Sequence, residues 1–212
     1  RVHDDTSYQP RMYPGRRYNP GGRFGGAFVH VLDRFGKLIC ADALPGLDGW
    51  DGLNGIALDA HGDLYVLHAS PAVIRGERHF NDHTGTLMKF TPGEGRLLSK
   101  GGTPIPLAEK PERAPDLYRA TAWVEGAHWL QPGIGWSCNY TTACACWNTR
   151  FSLDYFARSF APEVDRYSIA VLDCNGNMIA RIGQYGNADD GVPMVKDGGP
   201  PNPRSIGGDE TA

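Results

Sequence analysis

Three cysteines and one histidine lie close together in the stretch HWLQPGIGWSCNYTTACACW, residues 128–147. Cys138, Cys144 and Cys146 have the spacing C-x5-C-x-C, and His128 precedes them. Three soft thiolates and one imidazole suit a tetrahedral zinc or a copper(I) site. The spacing is not that of a known zinc knuckle, and a disulfide from Cys138 to Cys144 or Cys146 would equally staple this loop. A metal site, a disulfide and plain thiols therefore remain three alternatives.

Two weaker candidates, His68 and Glu163, occupy equivalent positions in a repeated pattern of strands. Both are expected at strand ends, on the side of the molecule that carries the long loops. Buried together, they would line the mouth of a channel and act as general acid and base. The alternative is that they are polar strand-end residues facing solvent. The sequence contains no G-x-S-x-G, Walker, Rossmann or H-E-x-x-H motif that would name a reaction.

The other two of the five cysteines, Cys40 and Cys174, lie in predicted strands or at their turns, which favours buried or turn thiols. Disulfides in the cluster would need an oxidising compartment, so we expect an extracytoplasmic protein, periplasmic or secreted.

Composition argues against two classes of partner. Lys and Arg number 21 against 24 Asp and Glu, so no net charge attracts the chain to nucleic acid or an anionic membrane. No stretch approaches the roughly 20 apolar residues of a membrane span. The arginines and aromatics of residues 1–27 are expected to form a loop packed on the protein body. Because residue 1 is Arg, we expect the chain to begin inside a longer gene product or after processing.

Four short strands are predicted in a row over residues 150–183. They cover residues 150–154, 157–162, 167–173 and 178–183, and turn residues separate them. Asn175-Gly176 between the last two is a strong hairpin signal, because both residues tolerate positive φ. Residues 59–63 and 173–177 resemble calcium loops in composition only and are interpreted as hairpin turns.

The same unit occurs earlier in the chain. Residues 54–70 align with 149–165, and residues 86–101 align with 168–183, while residues 28–42 repeat the hairpin half alone. A recurring four-stranded unit that cannot bury its own faces is typical of a propeller blade. The predicted fold is therefore all-β, a partial β-propeller of about two and a half blades. A closed small barrel or sandwich is the alternative.

The domain assignment is a single partial propeller over residues 1–212. A half blade covers 28–42, a blade 54–101, a long inserted loop 103–148, a second blade 150–183 and an irregular tail 184–212. Long irregular loops fall on one face, where function is expected. A chain of this length would leave its ring open, so further blades or a protein partner must cover the ends.

The segments NGIALDAHGDLYVLHAS and YSIAVLDCNGNMIARIGQYG resemble NHL-repeat proteins. The resemblance implies a six- or seven-bladed ring. Relatives include peptidylglycine amidating lyases and gluconolactonase-like hydrolases, whose metal sits in the central channel, so a channel calcium is a further expectation. Many other members only bind partners.

We therefore expect an NHL-like propeller segment that serves as a protein-binding or assembly module within a larger ring or complex, rather than an enzyme. The alternative is part of a metal-dependent lyase or hydrolase of the propeller type.

Overall fold

The computed structural model describes residues 2–5, 28–47, 53–79, 84–99, 108–118, 122–135, 150–163 and 166–183. These residues form strands and turns, with no α-helix among them, so the all-β prediction is confirmed. The strands are β1 (Val2–Asp5), β2 (Phe28–Leu32), β3 (Leu38–Cys40), β4 (Leu53–Leu58), β5 (Leu64–His68), β6 (Val73–Ile74), β7 (Glu77–Arg78), β8 (Gly85–Phe90), β9 (Arg96–Ser99), β10 (Ala122–Glu125), β11 (Ala127–Ile134), β12 (Ser152–Leu153), β13 (Ser159–Glu163), β14 (Ser168–Leu172) and β15 (Met178–Ile182).

Three antiparallel sheets contain most of the strands. Sheet I has the order β1-β2-β3, sheet II the order β11-β8-β5-β4, and sheet III the order β12-β13-β14-β15. Two short pairs, β9-β10 and β6-β7, complete the described strands. Sheet III is a meander of consecutive strands, and its four strands are those predicted over residues 150–183.

One turn type recurs in all three sheets. An aspartate carboxylate accepts hydrogen bonds from the backbone N–H groups two and four residues later, at 2.8–2.9 Å. The residue three after the aspartate has positive φ. It is glycine, which adopts this conformation without strain, in three of the turns and Ala157 in the fourth. These turns begin at Asp33, Asp59, Asp154 and Asp173. The hairpin-turn interpretation of residues 59–63 and 173–177 is thereby confirmed. We call the end of the sheets that carries these turns the turn end, and the opposite end the loop end.

Sheet II is buried on both faces. Successive side chains of a strand point to opposite faces, so Leu64 and Val66 lie on one face of β5 and Leu67 on the other. The first face packs against sheet I in a cluster that includes Val29 and Val31. The second packs against sheet III in a cluster that includes Ala161, Ala170 and Leu172. The three sheets therefore form a layered stack in chain order.

The fourth strand of sheet II differs from the prediction. β9 was expected to pair with β8, but β9 pairs with β10, and β11 occupies the edge beside β8. The N–H of Leu97 donates to the Pro45 carbonyl at 2.8 Å, which draws β9 away from β8 and towards the segment that follows sheet I. The inserted loop of 103–148 is thus not irregular throughout, because it supplies β10 and β11.

Gly176 joins the turn of sheet III to sheet II. Its φ is 82°, and a Cβ there would lie 2.7 Å from the Trp129 ring of β11. Gly36, the equivalent residue in sheet I, has φ 85° but nothing within 4 Å of that position. The two glycines share the backbone constraint and differ only in the neighbouring ring.

We predict that Gly36→Ala costs about 1 kcal/mol, for the left-handed backbone alone. Gly176→Ala should cost about 1–3 kcal/mol more, because the ring of Trp129 must move. Urea denaturation of both full-length variants measures the difference. Equal losses would mean that the two sheets are not in contact at this turn.

Candidate functional site

His68 lies at the loop end of β5 and is fully buried. Its Nδ1 accepts a hydrogen bond from the Ser70 N–H at 3.2 Å, so the neutral ring carries its proton on Nε2. Burial lowers the pKa of His68 to about 4, because the low-dielectric surroundings disfavour the imidazolium. The Thr86 hydroxyl donates to the Ser70 carbonyl at 2.8 Å and fixes the same corner. This arrangement gives a neutral hydrogen-bonding histidine.

Glu163 lies at the loop end of β13, and its carboxylate is bound on several sides. Arg181 donates from Nε at 2.7 Å and from Nη2 at 3.3 Å, and the Ser168 hydroxyl donates at 3.0 Å. Arg166 lies at an ion-pair distance of 3.8 Å. These contacts tie together three parts of sheet III, which is a structural role.

The structure does not bring His68 and Glu163 together. The two residues are equivalent in the repeat, so each side chain lies on the face of its own sheet that is directed towards the preceding sheet. His68 shares the face of Val66, which packs on sheet I, whereas Glu163 shares the face of Ala161, which packs on sheet II. Sheet II therefore lies between them, and the expected acid–base pair is not formed.

His128 lies near the turn end of β11, where its side chain is exposed. Its Nε2 is 2.9 Å from the Thr91 hydroxyl. β11 runs from there to the loop end, so His128 and residue 135 are roughly 20 Å apart at about 3.3 Å per residue. Cys138, Cys144 and Cys146 lie outside the described residues, and the zinc or copper site with His128 stays a prediction. Among the described residues, no three His, Cys, Asp or Glu side chains form a group that could hold a metal.

Cys40 and Cys174 are free, partly buried thiols, as predicted. Burial raises the pKa of the Cys40 thiol, and the nearby Asp42 carboxylate adds to this effect. A thiol of this kind is a poor nucleophile near neutral pH.

A buried electrostatic cluster lies at the turn end, around Lys89 of β8. Its ammonium is 2.9 Å from Asp63 Oδ2 and 3.4 Å from Asp59 Oδ2, and it donates to the Cys174 carbonyl at 3.2 Å. It also lies 5.1 Å from the centre of the Tyr65 ring. The cluster joins β8 to one turn of sheet II and to one turn of sheet III. We call it the Lys89 clasp.

The pKa values of the clasp agree with permanent charges. Burial alone would lower the pKa of Lys89, but the hydrogen bond to Asp63 and the proximity of Tyr65 raise it above its ordinary value. Burial alone would raise the pKa of Asp59. The N–H groups of Asp63 and His61, together with the Lys89 charge, hold it below its usual range. The clasp therefore keeps its charges around neutral pH and does not suit proton transfer there.

Lys89 is absent from the residues that the sequence singles out. The available signal was its position in GTLMKF, where it is the single charge in a strand with two buried faces. A lone lysine in such a strand needs a buried acidic partner, and the Asp59 turn lies one hairpin away.

Sheet III carries an apolar surface on the side that faces away from sheet II. Its cross-strand neighbours are Phe160 with Val171, Pro162 with Ile169, and Ile169 with Ile182. Ile169 is 42% exposed and Ile182 45% exposed; Ala180 is also exposed, Phe160 and Pro162 are half-buried, and Val171 is buried. We call this surface the front face of sheet III, and define it as Phe160, Pro162, Ile169, Val171, Ala180 and Ile182.

Comparison with known proteins adds no assignment. A scan against protein-family models finds no match to the chain, and searches of curated proteins and of solved structures find no significant match. In the described part of the chain, no helix has the length and apolar character needed to cross a membrane.

We predict that His68 makes stability depend on pH between about 6.5 and 4. The unfolded chain binds a proton at this histidine below its ordinary pKa, and the folded chain does not until about pH 4. Stability is therefore complete above pH 6.5 and falls by about 3 kcal/mol as the pH drops to 4. His68→Asn, whose side-chain oxygen can accept the Ser70 N–H, should remove most of this slope in urea titrations. The exposed turn residue His61 supplies the control: His61→Asn must keep the slope.

We predict that Lys89→Met destabilises the fold by about 3–5 kcal/mol, because two turn carboxylates lose their buried counter-charge. Lys37→Met, the same change at an exposed turn position, should alter stability by less than about 0.5 kcal/mol. Chemical denaturation at pH 7 compares the two. A Lys89→Met loss as small as that of the control would contradict the clasp.

Proposed function

We propose that this chain is a segment of a larger NHL-like β-propeller ring and that it serves as a protein-binding or assembly module. The observation that carries the proposal is the difference between neighbouring sheets. Among the residues that the structure describes, sheet II is covered on both faces, whereas sheet III is covered on one face and has a partly exposed apolar front face on the other. A sheet built to be stacked on both sides needs a neighbour on its second side.

The repeated turn supports the same proposal. Sheets I, II and III each carry an aspartate-started hairpin turn at the turn end. Such repetition is typical of architectures in which similar units stack in one direction and each buries its neighbour. Rings of this type contain four to eight such units, so three sheets leave room for further ones.

Energetics favours a covered front face. Burial of a fully exposed isoleucine contributes about 1.5–3 kcal/mol, so burial of the exposed part of Ile169 and of Ile182 would contribute roughly 1 kcal/mol each. Charged side chains are absent from the six residues of the front face, so burial leaves no unpaired charge. A partner sheet therefore gains the hydrophobic term without a large desolvation cost.

We predict that native mass spectrometry of the intact particle, recorded without reductant, gives a mass larger than one 212-residue chain. The double variant Ile169→Asp/Ile182→Asp should release the partner by more than ten-fold in affinity, because two carboxylates would be buried unpaired. Ile74→Asp is the matched control, since Ile74 is 43% exposed but lies on β6 at the loop end.

A single chain that is stable alone, with the front face exposed to solvent, contradicts the proposal and points to a small closed β fold. Equal effects of the double variant and of the Ile74 variant would also contradict it, because the front face would then not be the contact.

A further inference from the structure

We infer that the front face of sheet III receives one particular kind of partner: another four-stranded antiparallel sheet whose contacting face is small at its centre. We expect that face to resemble the face of sheet III that packs on sheet II, where Ser159, Ala161 and Ala170 are completely buried. The inference rests on the proposed function and names the partner that it requires.

The two central strands of sheet II and of sheet III form cross-strand pairs in the same register. In sheet II, Tyr65 pairs with Lys89 and Leu67 pairs with Leu87, and these pairs form the face that packs on sheet III. In sheet III, Phe160 pairs with Val171 and Pro162 pairs with Ile169 at the same places in the two central strands. The front face thus occupies the same strand positions as the surface by which sheet II packs on sheet III, with different residues at several of them.

Large side chains of sheet II fit against small side chains of sheet III. Tyr65 and Trp129 of sheet II are bulky and pack edge to face, with ring centres 5.7 Å apart. The Tyr65 hydroxyl reaches the Ala157 carbonyl at 3.4 Å across the layer. Alanine and serine at the centre of the opposing face leave room for this bulk. On sheet III, Phe160 stands at the position of Tyr65 and Ile169 at that of Leu87, so both need similar room, whereas Ala180 stands at the position of Trp129.

The front face of sheet III lacks the buried charge of sheet II. Val171 stands where sheet II has Lys89, and Arg158 stands at the turn position of Asp63. Arg158 instead pairs locally with Asp154 at 2.6 Å. In sheet III, the Cys174 carbonyl accepts a hydrogen bond from the Lys89 ammonium. The partner sheet needs no equivalent carbonyl, because Val171 has no ammonium to donate. We expect an apolar contact at the turn end of the partner.

Two front faces from two copies of this chain would fit less well. Such a contact would oppose Phe160, Ile169 and Ile182 to the same large residues, with no small centre on either side. A second copy is therefore the alternative that the experiment must distinguish.

The experiment adds the inferred partner to the full chain. A second copy of residues 150–183 is inserted after Gly183 through a glycine–serine linker. The linker has the length of residues 135–151, because these residues connect sheet II to sheet III in the chain. Ile169→Cys in the first copy reports access to the front face by its rate of thiol labelling. We expect labelling at least ten-fold slower than in the single-copy chain. Ile74→Cys, equally exposed, should label at an unchanged rate.

Ala161→Trp in the inserted copy fills the small centre and should restore fast labelling. An inserted copy that stays sensitive to trypsin, or that folds without slowing the labelling, overturns the inference. Slow labelling already in the single-copy chain, together with a mass of two chains, assigns the face to a second copy and also overturns it.

The two proposals fail separately. A native particle heavier than one chain, combined with no protection by the inserted copy, removes the inferred partner and leaves the assembly function standing. A native particle of one chain removes both.

Discussion

Lys89 is a buried charged side chain of sheet II that contacts sheet III directly, and the position of one sheet on the other depends on it. Its ammonium lies inside the stack, and its contacts with Asp63 and with the Cys174 carbonyl are short enough to fix both turns. Trp129 reinforces the same point, since its Nε1–H donates to the Cys174 carbonyl at 3.1 Å. One backbone oxygen of sheet III therefore receives two side chains of sheet II. A buried charge permits few alternative arrangements, so this contact also sets the relative position of the sheets.

The two layers of the stack are held by different means. Between sheets I and II the cluster is hydrophobic throughout, with Leu64, Val66 and Phe90 against Val29 and Val31. Between sheets II and III the centre is small and apolar, and the Lys89 clasp closes it with polar contacts at the turn end. Hydrophobic packing tolerates small shifts better than the geometry of charged hydrogen bonds does. The second layer is thus the more specific of the two.

Strands and turns that depend on neighbouring residues in the sequence were predictable from it. The four strands of 150–183 and the turns at Asp59 and Asp173 follow from alternation and from turn residues, and both are present. The edge strand of sheet II was not predictable in this way, because β9 and β11 compete for β8 and the outcome depends on the distant Pro45 carbonyl. The equivalence of His68 and Glu163 was assigned correctly along the strands. Equivalent residues of stacked sheets point in the same direction, however, so a sheet always lies between them.

The late arrival of β11 has a consequence for synthesis of the chain. β8 ends at Phe90, but its partner strand is complete only at Ile134, roughly 40 residues later. At about 5–20 residues per second, the ribosome leaves one edge of β8 open for roughly 2–8 s. During that interval GTLMKF is a nascent strand with one unsatisfied edge, and Lys89 is the single charge that separates it from an aggregation-prone segment. The residue that orders the finished stack is thus also the single charge of this strand while its edge is open.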